Sequence, residues 1–312
     1  MSFQRPDLTL ATAHITSQLT LTPTINAWHY YLVDQGSSPH TIKAFTADLH
    51  LLSNYMPPDR TLGSISTTDL NNFLEWMQKG RGVPCSPKTL SRRITSLKAF
   101  FRWLHTKGVV LVDPAERVIQ KSVISPLPQV LTPDEVAAAL RTAEDLWKNP
   151  PQDSRYLALL DLLLQTGIKK SEALALRVNH VDLEAPSGPL LFVRYASPHH
   201  RYKERKIPLS DSWVTHYPHY RAQFNLADET GPGQDRLFPW SPRRLEYLLE
   251  DIGLQAGLGK HISFEMCRWT SALSDLESGI EPDKIRQKLG ISKVQWREVY
   301  MKLRRLAGQE DH

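Results

Sequence analysis

Arg268 and Tyr300 stand in a stretch, Ile262 to Tyr300, that reads as three short helices. If the chain performs chemistry, this pair is where it must sit, because a guanidinium fork grips two oxygens of an oxyanion in a fixed geometry. Around Arg268 the apolar residues Met266, Trp269, Leu273 and Leu276 recur at three- and four-residue spacing. The helix therefore has a core face and carries the guanidinium at a fixed position. Gly279 ends it. Glu281, Pro282 and Asp283 read as the first turn of a second helix, with Ile285 and Leu289 inward and Gly290 as its stop. A third helix carries Val294, Trp296 and Tyr300. Taken without its frame, Tyr300 is a core-packing aromatic on an amphipathic helix.

The rest of the chain must position that stretch. Its 312 residues suggest two domains, and 41% hydrophobic content is ample for two cores. No apolar run approaches a membrane span, and the N-terminus lacks the apolar stretch of a secretory signal, so a cytoplasmic protein is expected. Cys85 and Cys267 are too few for a disulfide framework or a thiolate metal site. Charge is uneven: residues 1–125 carry 13 Lys+Arg against 8 Asp+Glu, and residues 126–312 carry 25 against 25. Trp76 to Val112 holds eight basic side chains and no acidic one, a surface that wants a polyanion.

Residues 1–22 read as a weakly ordered arm rich in Thr and Ser. Four helices follow. The first begins near Pro23 and ends at Gly36, and the second is capped by Ser37 or Ser38. The third is capped by Thr67 or Thr68 and stops at Gly80. The fourth, SPKTLSRRITSLKAFFRWLHTKG, places Leu90, Ile94, Leu97, Phe101 and Leu104 on one side. Lys88, Arg92, Lys98 and Arg102 fall largely on the other, and with Arg93 they are the candidate phosphate contacts of this bundle. The alternative is a solvated charged face. Pro126, Pro128 and Pro133 mark a linker, placed at 122–132 between a domain at 23–121 and one at 133–312. The strands PLLFVRYA and KERKIPLS make the only convincing hairpin. The helix that opens at WSPRRLEY has Arg243 and Arg244 in its first turn, where basic residues oppose the helix dipole and suit a phosphate partner.

The stretch around Arg268 and Tyr300 resembles the C-terminal motif of the tyrosine recombinases, the phage-integrase family, in which HxxR is followed by LGH and a nucleophilic tyrosine. Arg268, Leu289, Gly290 and Tyr300 match, whereas Glu265 stands at the histidine of the box and Ile291 at the residue after LG. The box TGxRxSELxxLxxxDID is matched by Thr166, Gly167, Ser171, Glu172, Leu176, Val181 and Asp182, with Lys169 in place of its arginine. Lys169 reads either as a weakened phosphate contact or as a solvated lysine after a glycine turn. The hairpin resembles GKGxKERxVPL, whose first lysine protonates the leaving oxygen. Aligning KER puts His200 on that lysine, and Lys203 is the second candidate if the hairpin slips. The first four helices resemble the family's core-binding domain.

The resemblance implies a mainly α protein: a SAM-like four-helix core-binding bundle, then a mostly helical catalytic-type domain with a small hairpin. It implies duplex DNA as partner, homo- or hetero-oligomers on paired DNA sites, and no cofactor. The expected catalytic set is Tyr300, Arg268, Lys169, His200, Lys203 and Glu265, with no metal, since His199 and His200, or His216 and His219, have no carboxylate or cysteine nearby. Three functions remain open at this stage. One is a DNA-binding family member with a degenerate site and reduced or absent strand cleavage. The second is an active site-specific recombinase with a variant catalytic set, and the third is a helical interaction protein that has abandoned DNA.

Overall fold

A computed structural model describes residues 15–83, 85–119, 126–226 and 236–309. The chain divides into two compact units, Met1–Ser125 and Pro126–His312.

In the first unit the helices are α1 (Leu21–Asp34), α2 (Pro39–Tyr55), α3 (Thr67–Glu75) and α4 (Pro87–Thr106), with a π-helical turn at Trp76–Gly80 extending α3. Ser38 and Ser86 cap α2 and α4 through the backbone N–H of Thr41 and Thr89. The cap of α3 is Ser66, one residue earlier than the sequence suggested, because Ser66 and Asp69 form a reciprocal capping box. The core closes around Trp28, which meets Phe100 edge-on at 5.3 Å. The expected arm is ordered at its inner end: the carbonyls of Ser17 and Leu19 accept from Gly63 and Leu62 at 2.8 Å. Residues 1–14 lie outside the described residues.

The second unit contains α5 (Pro133–Lys148), α6 (Arg155–Thr166), α7 (Lys170–Ala175), α8 (Asp211–Gln223), α9 (Pro242–Gln255), α10 (Phe264–Glu277), α11 (Pro282–Leu289) and α12 (Lys293–Leu306). Between α7 and α8 runs an antiparallel sheet in the order β1 (Val181–Asp182), β2 (Leu190–Val193), β3 (Arg205–Pro208). The expected hairpin is β2–β3, with Leu191 opposite Ile207 and Phe192 opposite Lys206. Helix α6 is apolar almost all round and Leu157 to Leu163 are buried, so it runs through the core. The inner end of the expected linker is packed: Leu131 is buried and its N–H donates to Thr270 Oγ1 at 2.9 Å, while Lys260 Nζ donates to the Val130 carbonyl. Among the described residues no helix is long and apolar enough to cross a membrane.

Candidate active site

Helix α10 is capped by Ser263, which accepts from the Met266 N–H, and it buries Met266, Cys267, Thr270 and Ser271. That register leaves Arg268 partly buried and aimed across two neighbouring chain turns. Its Nη1 donates to the Gly167 carbonyl at 2.5 Å and its Nη2 to the Leu289 carbonyl at 2.7 Å. Gly167 closes α6 with φ +58°, and a Cβ there would lie 3.1 Å from Leu289 Cδ2 and 3.2 Å from Ser271 Oγ. Only glycine lets these three segments meet. Burial brings the Arg268 guanidinium down to about 10, with Arg205 lowering it further and Glu172 opposing the fall.

Glu172, in the first turn of α7, joins the remaining charged groups. It is almost wholly buried and accepts from Arg205 Nη1 at 3.0 Å, Arg205 Nη2 at 2.9 Å, the Lys169 N–H at 2.9 Å and the Tyr195 hydroxyl. Burial pushes its carboxyl up, but the hydrogen bonds and charge of Arg205, with the Lys169 N–H and Tyr195, outweigh that and hold it at about 2. Arg205 Nε also donates to the Lys288 carbonyl at 2.5 Å. Arg205 and Arg268 thus hold the carbonyls of Lys288 and Leu289, at the negative end of α11. Gly290, with φ +59°, makes room for this: a Cβ there would fall 2.5 Å from Arg205 Nη1.

Lys169 lies half-buried just before α7. Burial depresses its ammonium, as do the nearby charges of Arg268, Lys203 and Arg205, against the pull of Glu172. Four cations therefore share one region whose carboxylate, Glu172, is already paired with Arg205. Lys203 ends the 3₁₀ turn Pro198–Lys203, and its Nζ lies 5.2 Å from the Tyr202 ring centroid. His200 is exposed, its ring 5.8 Å from that of Tyr195. The charge of Lys203 is among those that depress Lys169.

Glu265 is exposed in the first turn of α10, and Tyr300 is half-buried on α12, stacked on Trp296 at 5.4 Å. No hydrogen bond or ion pair joins either residue to the cation cluster among the described residues. Ile291 packs beside Leu289 and Leu303 in a small apolar cluster.

On the first unit, Lys88 and Arg102 are exposed and Lys98 is half-buried. Arg93, expected as a phosphate contact, is turned inward. It is buried at 8% exposure, with Nε 3.5 Å from Asp48 Oδ1, because Asp48 is a buried carboxylate on α2 that faces α4. Arg92 is half-exposed and shares the same carboxylate while donating to the Ala44 carbonyl at 3.2 Å. On α9, Arg243 and Arg244 are exposed, and Arg243 Nε donates to the Tyr247 hydroxyl at 2.6 Å. No group of three or more His, Cys, Asp or Glu side chains is arranged to hold a metal among the described residues. His216 and His219 instead lie against Trp147, at 4.9 and 5.6 Å. The sequence reading missed the hub role of Glu172 and its partners Tyr195 and Arg205, although the SE and KER boxes contained two of the three.

Comparison with known proteins identifies the family. The phage integrase N-terminal SAM-like domain profile matches residues 25–108, and the phage integrase family profile matches residues 129–305. Tyrosine recombinase XerD of Listeria innocua is 28% identical over 291 residues, covering 89% of this chain and 93% of that protein. Tyrosine recombinase XerC of Roseiflexus castenholzii is 27% identical over 303 residues, covering 92% and 91%. Among solved structures, a lambda integrase dimer bound to a COC′ core site superposes with TM-score 0.70 at 15% identity, over all of this chain and 84% of that one. The XerH recombinase in a post-cleavage complex with palindromic difH substrate gives 0.69 at 15% identity, over 96% and 93%. With one family profile alone spanning more than half its length, the chain belongs to the phage integrase family, the tyrosine recombinases.

Proposed function

We propose that this chain binds duplex DNA as a site-specific recombination protein whose phosphate seat is kept and whose strand cleavage is reduced or absent. The observation that carries this reading is the gathering of Lys169, Lys203, Arg205 and Arg268 around a single, already paired carboxylate. Such a surplus attracts an anion, and a phosphodiester is the anion a tyrosine recombinase handles. In the family reaction the Tyr300 oxygen would attack the phosphorus, forming a 3′-phosphotyrosyl bond as the bond to the 5′ oxygen breaks and that oxygen takes a proton. Lys169 supplies charge to the phosphorane without the two-pronged grip of a guanidinium. Glu265 adds a negative group at the position of a donor, and Ile291 adds none. With each lost donor costing about 2.7–4 kcal/mol, two together remove on the order of 10⁴-fold or more in rate. The solved lambda integrase assemblies, a dimer on a core site and a tetramer on a Holliday junction, support oligomers on paired sites for this chain as well.

A second reading is active recombination with Lys203 as the proton donor, favoured by the charge contact of Lys203 with Lys169. One experiment separates the two: nicked duplexes are incubated with the wild type, Tyr300→Phe and Lys203→Ala, then assayed for salt-dependent binding and for an SDS-resistant adduct. Binding without adduct in all three is expected. An adduct that disappears with Tyr300→Phe and falls with Lys203→Ala establishes the active reading, and absence of binding at low salt refutes both.

A further inference from the structure

A cleft of about 810 Å³ opens beside the β2–β3 hairpin, on the second unit. Arg205 and Tyr195 contribute to its wall, whereas Lys169 and Arg268 do not line it. It therefore adjoins the phosphate seat, with which it shares Arg205. The second unit as a whole carries 25 basic and 25 acidic residues, yet the cleft lining holds five arginines and a lysine against one acid, Glu204. Glu204 is occupied in accepting the Tyr195 N–H at 2.9 Å. A solvated protein face normally mixes both signs, and a concave wall of one sign focuses the field into the space it encloses.

Two of the cations are held beside each other by the sheet. Phe192 and Lys206 pair across β2 and β3, and Phe192 is half-buried. Arg194 lies 5.3 Å from the centroid of its ring and Lys206 5.1 Å from it. The ring stabilises both cations and so offsets part of their mutual repulsion. Neither has a carboxylate partner among the described residues, nor do Arg201 and Arg236 on the same wall. All four are exposed side chains that converge on one space of ligand-binding size.

We infer that this cleft is a second anion site, adjoining the reacting one through Arg205, that takes a chain of phosphate groups. Arginine forks match phosphate oxygens, and a space of this size receives several phosphates in series. The chain of phosphates has two possible sources, a free oligophosphate or the backbone of a nucleic-acid strand, and the chemistry of recognition is the same for both. The inference does not depend on strand cleavage.

The test uses the full chain and inorganic tripolyphosphate, titrated at low salt by calorimetry. The wild type should bind saturably and with salt sensitivity. Arg194→Gln combined with Lys206→Gln should weaken binding by about tenfold or more. The exposed pair Lys284→Gln and Lys293→Gln, on the same unit, should leave it unchanged, and Lys169→Gln in the reacting site should weaken it less than the Arg194 and Lys206 pair does. Because the substituted side chains of the first pair are exposed, the melting temperature of that variant should equal that of the wild type. Absence of saturable binding by the wild type overturns the proposal. So does equal loss in both double variants, which would mean diffuse electrostatics, or equal loss with Lys169→Gln, which would mean a single site. Parallel titrations with a single-stranded oligonucleotide and its duplex identify the source. If nucleic-acid affinity falls with that for tripolyphosphate in the Arg194 and Lys206 variant, the phosphates are those of a strand. If only tripolyphosphate affinity falls, the ligand is a free phosphate chain.

Discussion

Replacing Glu172 by glutamine keeps the volume of the hub and removes the charge to which Arg205, the Lys169 N–H and the Tyr195 hydroxyl bond. The side chains of Glu172 and Arg205 are 1% and 8% exposed, so the change leaves a buried guanidinium without its counter-charge. Breaking a buried pair from one side costs about 3–5 kcal/mol. Proton linkage gives a similar size, since a carboxyl held at about 2 in place of its ordinary 4.5 corresponds to about 3 kcal/mol favouring the fold. The sign follows from the direction. The folded value is depressed, so the contribution is complete above pH 4.5 and is lost as pH falls towards about 2. Urea unfolding, with hydrogen exchange of α6 reading the second unit separately, should show Glu172→Gln less stable by about 3 kcal/mol at neutral pH. The gap should narrow through the acid range and close near its lower end. Equal stability at neutral pH, or an acid dependence as steep in the variant as in the wild type, would show that the hub does not hold the site together.

The other perturbations act on single parts of the same arrangement. Gly290→Ala forces a side chain into φ +59° and places its Cβ 2.5 Å from Arg205 Nη1, so thermal melts should report a loss of about 1–3 kcal/mol. Lys169→Arg restores the two-pronged phosphate grip and should raise the yield of SDS-resistant adduct on nicked duplexes by about tenfold or more, through Tyr300 alone. Arg102→Ala should lower the slope of log affinity against log salt by about one, as expected for a lost phosphate contact. Arg93→Ala should leave that slope unchanged and instead destabilise the first unit, by about 1–3 kcal/mol, since Asp48 loses a buried partner.

What the sequence made legible was local. The cap at Ser38 and the glycine stops after α1 and α11 follow from short-range rules, and those helices formed where the rules put them. The cap of α3 was misplaced because the Ser66–Asp69 reciprocity was not weighed against the two threonines that follow. Arg93 was misread for a related reason: the basic segment holds no acid of its own, and its counter-charge comes from Asp48 on another helix. In the site, Arg268 and Tyr300 could be found from a motif with fixed spacing. The Glu172, Arg205 and Tyr195 association could not, since it is made by folding α7 against the hairpin. The hairpin alignment puts His200 first and Lys203 second, and both lie in the 3₁₀ turn Pro198–Lys203, with His200 exposed and the charge of Lys203 acting on Lys169.

The same packing explains how a lysine fits where the family has arginine. An arginine in position 169 would keep its full charge beside Arg268, Lys203 and Arg205 at any accessible pH, because a guanidinium does not give up its proton. Burial together with those three cations already depresses the ammonium of the lysine in that place. A phosphate arriving among the four cations reverses the balance, since its negative charge favours the protonated ammonium. What Lys169 gives up is the fixed fork, which matters for aligning the pentacoordinate phosphorus and much less for attracting a phosphodiester. Retained attraction with weakened alignment is what a DNA-binding recombinase with reduced cleavage requires.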